Sequence, residues 1–303
     1  MKRKYFIITI DTEGDNLWNV KDTEAKIKNI TNKNGDYIWR FQELCEKYAF
    51  IPTYLTNYEM SQSESFIELA KEGIRKKSLE IGMHMHAWNS PPYYPLKFEK
   101  GGNNAYLGEY PKNIIYQKMD LLKKSLQDIF SIKITSHRGG RWYLDSYIIE
   151  ILEELGFVVD CTISPGINWR NNVGYTRNSK GSNWKRYKDI PFYLKTGNVF
   201  GCRKRLLEVP VTIKYLKEDD KNIWLRPTGQ NIKDLFWIVN NALESDARYI
   251  EFMLHSSELM PGGSPTFKTS NSIKHLYDDL EVLFQFISKN FIGIGITDFA
   301  RFY

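Results

Sequence analysis

Only three of the 303 residues are cysteine (Cys45, Cys161 and Cys202); they form no CxxC pair, and their odd number speaks against a disulfide framework. That composition points to a reducing, cytoplasmic setting. No stretch approaches the roughly 18 consecutive apolar residues of a membrane span, so the chain reads as having no transmembrane segment. The basic start, Lys2 to Lys4, imitates a secretion signal. The apolar run behind it, Tyr5 to Ile10, is too short for one, ends in Asp11 and offers no small-residue cleavage site, so it reads as a first strand. Internal repeats, low-complexity tracts and a convincing linker are also missing. Residues 1–303 are therefore expected to form a single domain, at a length common for β/α barrels.

The net charge of +6 is concentrated in one place. Residues 164–205 carry ten Lys/Arg (Arg170, Arg177, Lys180, Lys185, Arg186, Lys188, Lys195, Arg203, Lys204, Arg205) against one acid, Asp189, so the rest of the chain is net −3. A nucleic-acid role is disfavoured, because no binding motif accompanies the charge. A solvated basic loop is the plainer account.

Strand-like and helix-like periods alternate along most of the chain. Strands are expected at 4–11, 50–56, 79–86, 132–138, 157–161, 206–212, 249–255 and 291–297. Helices are expected at 36–48, 62–77, from Pro111 to about 130, 143–155 up to Gly156, 231–245 and 271–289. This β-α-β-α series predicts an α/β fold, a distorted parallel (β/α)7-8 barrel, with an open doubly wound sheet as the alternative. Residues 161–205 break the pattern and read as a basic, aromatic-rich loop insertion of the kind that is usually functional or disordered.

In such barrels reactive groups gather at the C-terminal ends of strands. The first strand ends Asp11-Thr12-Glu13, which puts two carboxylates on one face, a costly arrangement without a cation or proton between them. In the third, Leu79 to His86, odd positions are apolar and both His84 and His86 share the other face. An HxH pair beside strand-end carboxylates suits a divalent metal, with zinc favoured, and leaves coordination positions open as a catalytic site requires. Arg138 ends the fourth strand, where it can orient a carboxylate, while His137 falls on the opposite face and reads as structural. His255 ends the seventh strand, where a general acid belongs, and His275 reads as a surface residue. A glycosidase built on Asp11 and Glu13 is disfavoured, since i,i+2 residues on one strand cannot flank a sugar from opposite sides.

As an ordered set, these segments resemble the polysaccharide deacetylases, the NodB-like superfamily of carbohydrate esterase family 4. Thr9 to Gly14 is similar to the family's acidic first motif, Phe50 to Leu55 to its next strand and Gly82 to His86 to its histidine motif. Arg138 to Trp142 resembles its arginine motif, Val159 to Thr162 the motif with a structural acid, and Met253 to His255 the final histidine motif. The wording around Asn89 to Pro92 and His255 to Gly263 looks closest to deacetylase-like proteins of surface-polysaccharide and O-antigen biosynthesis.

The resemblance implies a barrel of the NodB type, with Asp11 as general base and Glu13, His84 and His86 as metal ligands. It implies that Arg138 orients Asp11, that Asp160 tunes His255, and that His255 is the general acid. Substrate contacts are expected from Trp88, Arg141, Trp142, Trp169, Ser256 and Glu258. Two positions depart from the family pattern: Thr12 stands where most members have a second metal aspartate, and the second histidine is two rather than four residues after the first, with Trp88 in the later place. The implied reaction is removal of an N-acetyl group from an amino sugar. A silent relative that binds glycan or an assembly partner, or an esterase or deformylase, stays open. The aromatics of the basic segment suit sugar faces and its cations suit phosphate. A nucleotide sugar or lipid pyrophosphate-linked acceptor is therefore expected, with peripheral membrane contact through the same loop.

Overall fold

The computed structural model describes residues 3–15, 17, 29–100, 102–194 and 206–303. Nine of its strands form the central sheet: β1 (Tyr5–Thr12), β2 (Pro52–Thr56), β3 (Glu80–Met85), β4 (Ser136–Gly139), β5 (Val159–Asp160), β6 (Phe192–Tyr193), β7 (Leu207–Glu208), β10 (Tyr249–His255) and β11 (Ile292–Gly293). The order across the sheet is β10-β1-β2-β3-β4-β5-β7-β6, with β11 against β1, and each ladder is parallel except β6–β7. The sheet curls into a distorted barrel with its seam between β7 and β10. A separate antiparallel hairpin, β8 (Ile213–Leu216) and β9 (Lys221–Trp224), stands at that seam. Tyr249 donates to the Pro210 carbonyl at 2.6 Å, Glu251 N–H to Thr212 Oγ1 at 2.8 Å and Met253 N–H to the Leu225 carbonyl at 3.2 Å. The chain on either side of the hairpin thus covers the edge of β10 that β7 does not reach.

Alternation along the strands sorts side chains into two layers. Phe6, Ile8, Ile10, Tyr54, Ile81, Met83 and Phe252 face outward and are buried under the helices, whereas Ile7, Leu55, Val159, Cys161, Leu207 and Tyr249 fill the lumen. Burial on both faces is why these strands read as near-continuous apolar runs.

The helices are α1 (Trp39–Lys47), α2 (Glu64–Lys76), α3 (Lys112–Phe130), α4 (Ser146–Glu154), α5 (Ile232–Glu244), α6 (Ser270–Ser288) and α7 (Ile296–Phe302). Short polar side chains satisfy the first free N–H groups of three of them, α2, α4 and α6: Ser63 accepts from Phe66 N–H at 3.4 Å, Asp145 from Ile148 N–H at 2.9 Å and Thr269 from Ser272 N–H at 3.1 Å. Gly156, at φ +80°, turns the chain out of α4 as its position suggests.

Several boundaries differ from the sequence pattern. The strands expected at 132–138, 157–161 and 206–212 pair only over 136–139, 159–160 and 207–208. The strand expected at 291–297 pairs over two residues and then becomes α7. Glu80 explains that switch: its Oε2 accepts the Thr297 N–H at 3.0 Å, and a carboxylate at a helix N-terminus favours helix over further strand. The hairpin β8–β9 falls where no element was expected, and β6 lies inside the segment read as irregular. That segment is otherwise non-regular over 161–194, crossed by the isolated bridges Asn168↔Asn183 and Val173↔Lys180. Lys195, Cys202, Arg203, Lys204 and Arg205 lie outside the described residues.

Candidate active site

Parallel register decides which strand-end side chains become neighbours. Asp11 of β1 pairs with His255 of β10, and His84 of β3 with Arg138 of β4. Glu13, just past β1, completes a cluster with the two histidines of β3. His86 Nε2 lies 2.7 Å from Glu13 Oε2 and 3.1 Å from His84 Nε2, and His84 Nε2 lies 3.3 Å from the same carboxylate oxygen. His84 Nδ1–H donates to the Arg138 carbonyl at 3.0 Å, which turns Nε2 toward Glu13 and His86. Ligand atoms around a tetrahedral zinc sit roughly 3.3–3.5 Å apart. The His84–Glu13 side matches this, and the 2.7 Å His86–Glu13 side must open by roughly 0.6–0.8 Å for the donor set to close on a divalent ion. These three residues are a group that could hold a metal. Burial by itself would raise the Glu13 carboxyl, but hydrogen bonds from His84 and His86 outweigh it and hold it well below the usual carboxylate range.

Beside this cluster, Arg138 is fully buried and committed to two carboxylates. Its Nη1 donates to Asp11 Oδ1 and its Nη2 to Glu251 Oε1, both at 2.6 Å, while Thr9 donates to the same Glu251 oxygen at 2.8 Å. Burial would raise Asp11, but the charges of Arg138, His84 and His255 keep it below its ordinary value. For Glu251 burial wins, and its carboxyl is pushed up to about 7 despite Arg138. With Oδ1 taken by Arg138, Asp11 turns Oδ2 toward His255, whose Nε2 is 3.6 Å away. The far side of that imidazole is held by Glu258: Nδ1 lies 3.2 Å from Oε2, which also accepts the His255 backbone N–H at 2.9 Å. Burial alone would raise Glu258, but Arg226, at 2.9 Å from Oε1, together with His255 lowers it to about 2. A buried anion therefore orients the ring.

Two expected roles are not what the geometry provides. Asp160 does not reach His255. Its register partner is His137, and both point outward from the barrel, where His137 Nδ1 lies 2.6 Å from Asp160 Oδ1. Thr162 donates to the same carboxylate through its N–H and hydroxyl. Alternation is the reason, since His137 faces away from Arg138 and Asp160 shares its side. Ser256 is not a substrate contact: fully buried, it donates to the Glu13 carbonyl and accepts the Glu13 N–H, both at 3.1 Å, with Asn34 bonded to the same pair. Glu258 holds His255 and pairs with Arg226, and it borders a cavity beside the cleft.

The remaining residues line a cleft of about 450 Å³ over the cluster. Asp11, Glu13, His84, His86 and His255 form its floor, and Trp88, Arg141, Trp142 and Trp169 are among its walls. Trp88 packs edge-on to His86 at 6.1 Å. Arg141 lies 3.8 Å over the Tyr106 ring and donates to the carbonyls of Asn104 and Val173, bracing two wall segments together. Among the described residues the cations on the wall are Arg141 and Arg226, whereas Arg170, Lys185, Arg186 and Lys188 of the basic segment are exposed elsewhere. Sequence reasoning missed Glu251, Arg226 and Tyr106. Glu251 had a signal: it shares a face with His255, four residues away on an otherwise apolar strand, and a buried acid there needs a cation.

No family model matches the chain, and no curated protein matches it. Solved structures do. A polysaccharide deacetylase, so described, from Mycobacterium smegmatis superimposes with a TM-score of 0.61 at 13% identity, covering 99% of this chain and 90% of that one. A glycoside hydrolase/deacetylase, so described, from Parabacteroides distasonis gives 0.62 at 8%, over 99% and 71%. Puue allantoinase gives 0.57 at 13%, over 99% and 89%. Likeness at this identity is a likeness of fold. The fold of this chain is the NodB-like distorted barrel also found in polysaccharide deacetylases.

Proposed function

We propose that the chain is a metal-dependent hydrolase of carbon–nitrogen bonds that removes an N-acetyl group from an amino sugar in the building of a surface polysaccharide. The observation that carries this reading is the convergence, at one barrel mouth, of Glu13, His84 and His86 with Asp11 and His255 3.6 Å apart beside them. Glu13 and the two imidazoles would hold the ion, with zinc favoured by the N/O donor set. When bound, that ion supplies Lewis acidity, polarising the acetyl carbonyl and bringing the pKa of the attacking water toward neutrality.

The chain's own groups do the proton work. Asp11 Oδ2 accepts a proton from water as the oxygen attacks the amide carbon. A carboxylate held below its ordinary pKa is a weak base for bulk water, which is why acidified water is needed. His255 Nε2 then gives a proton to the sugar nitrogen as the carbon–nitrogen bond breaks, leaving acetate and a free amine. Arg138 keeps Asp11 ionised and fixes the direction of its free oxygen. Glu258 fixes the orientation of the imidazole.

A phosphate on the acceptor would extend past the cleft toward the exposed cations of the basic segment, where peripheral contact with an anionic surface would also lie. We place the protein in the cytoplasm on its cysteine content, with Cys45 and Cys161 as buried free thiols. Among the described residues no helix is long and apolar enough to cross a membrane.

The test is acetate release from N-acetylated sugars by metal-loaded protein. Asp11→Asn and His255→Ala are each expected to lower kcat by about 100-fold or more with metal content retained, and His84→Ala to lose the metal. Near-normal rates in both Asp11→Asn and His255→Ala would defeat the assignment. Metal retention with no acetate from any acylated sugar would favour a binding role.

A further inference from the structure

Lys118 is a buried cation that the proposed chemistry does not use. It sits on α3 at 1% exposure, and its Nζ donates to the carbonyls of Ser90 at 2.5 Å and Pro92 at 2.7 Å. The Tyr110 ring faces the same nitrogen at 4.7 Å. Burial pushes the ammonium down to about 8, and no carboxylate among the described residues raises it again. Burial raises the Tyr110 phenol too, which keeps that ring neutral. An ammonium without a counter-ion is costly, and an apolar side chain of similar length would fill the space without that cost. What the charge adds is a hold on two carbonyls.

Those carbonyls belong to the turn that carries one wall of the cleft. Strand β3 ends at Met85, and residues 86–98 form neither helix nor strand. Trp88 lines the cleft, buried and edge-on to His86. Among the described residues its Nε1 has no hydrogen-bond partner, and neither has the buried Ser90 Oγ. Pro91 and Pro92 have no N–H to donate. The turn is therefore fastened largely through its carbonyls, where the Tyr93 hydroxyl adds a longer bond to Asn89 at 3.5 Å. With β3 fixing one end and α3 the other, the indole between them has a set place.

We infer that Lys118 is a positioning residue: by holding the Ser90 and Pro92 carbonyls it sets Trp88 in the cleft wall, and so governs how tightly substrate binds without touching it. The inference rests on the proposed deacetylation for the identity of the substrate. The hold on the turn does not depend on that reading. Bonds from a charged ammonium are stronger than those from a neutral amine, so the hold is full below pH about 8 and slackens as pH rises through it.

The experiment compares metal-loaded wild type with Lys118→Met, which keeps the reach of the side chain and removes its donors. Acetate release from N-acetylglucosamine gives the kinetics, and hydrogen exchange of residues 87–94 reports the turn directly. Lys118→Met is expected to raise KM about tenfold with kcat within about twofold and metal content retained. Exchange across 87–94 should quicken about tenfold while that of α5 stays as in the wild type. The KM gap between the two proteins should narrow above pH about 8, where the wild-type lysine also loses its charge; titrations common to both cancel in the ratio. Wild-type KM together with wild-type exchange would overturn the inference. So would a KM gap that is the same at every pH, or a fall in kcat and metal content with KM unchanged. If Lys118→Met does not fold, the wild type alone decides: its exchange at 87–94, corrected for the intrinsic rate, must rise relative to α5 as pH passes about 8, and a constant ratio overturns the hold. Faster exchange in the variant with no acetate released by either protein keeps the hold and defeats the deacetylase reading. Acetate release with wild-type kinetics and exchange in the variant does the reverse.

Discussion

At the scale of single residues, the lumen forces Arg138 to serve two buried acids at once. Asp11 keeps its charge because Arg138, His84 and His255 surround it, whereas Glu251 sits deeper and burial pushes its carboxyl up to about 7. The folded-state value of Glu251 is raised above that of the unfolded chain, so its contribution to stability is fully present below pH ~4.5 and is lost as pH rises through about 7. At 1.36 kcal/mol per pH unit the effect is on the order of 3 kcal/mol. Glu251→Gln should remove that share of the pH dependence, so thermal melts from pH 5 to 8 would fall less steeply for the variant than for the wild type. Parallel melting curves would show that Glu251 is ionised throughout. The acids also show what was legible beforehand. The shared faces of Asp11 with Glu13 and of His84 with His86 followed from period-2 patterning alone. The partner of His255 did not. Its side chain is oriented by an acid three residues on, in a strand-end turn whose path no periodicity reports.

At the scale of elements, the metal cluster depends on how closely β4 can approach β3. A Cβ at Gly140 would lie 2.6 Å from the Met85 carbonyl oxygen and 2.7 Å from His86 Nδ1, so a side chain there must push the imidazole or the strand aside. Gly140→Ala is expected to weaken metal binding by about tenfold while the barrel still folds, a loss typical of disturbed outer contacts to a ligand. A competition titration against a chelator reads this directly, and unchanged affinity would mean that His86 is not a ligand. Long helices and central strands were legible because each repeats its pattern over several turns or pleats. The two-residue strands β5 and β7 were legible only as parts of longer strands at 157–161 and 206–212, and β6 was not legible, since two residues carry no period. The hairpin β8–β9 was hidden for another reason: its half-buried strands flank a charged turn, Lys217 to Asp220, that reads as plain solvated loop.

At the scale of the whole molecule, the metal ligands come from β3 and from the chain just past β1, while Arg138 and His255 reach them from β4 and β10. An ion bound there ties sheet segments that unfold together, so its binding energy becomes folding energy. With free metal at about 100 times the dissociation constant the gain is about 2.7 kcal/mol. Adding zinc to chelator-stripped protein should therefore raise the melting temperature by several degrees, and His84→Ala should abolish the rise. A rise of equal size in that variant would place the ion elsewhere.

From sequence alone came the residue classes and their faces: acids on one side of β1, imidazoles on one side of β3, Arg138 opposed to His137, and a cationic segment after β5. These follow from backbone geometry, which repeats every two or 3.6 residues and is therefore written locally. Only the tertiary structure decided register and adjacency. It set Asp11 across from His255, gave Asp160 to His137 instead, brought Glu251 under Arg138, and seated Lys118 against the turn that carries Trp88. Those outcomes depend on how distant segments pack against one another, and no local period carries that information.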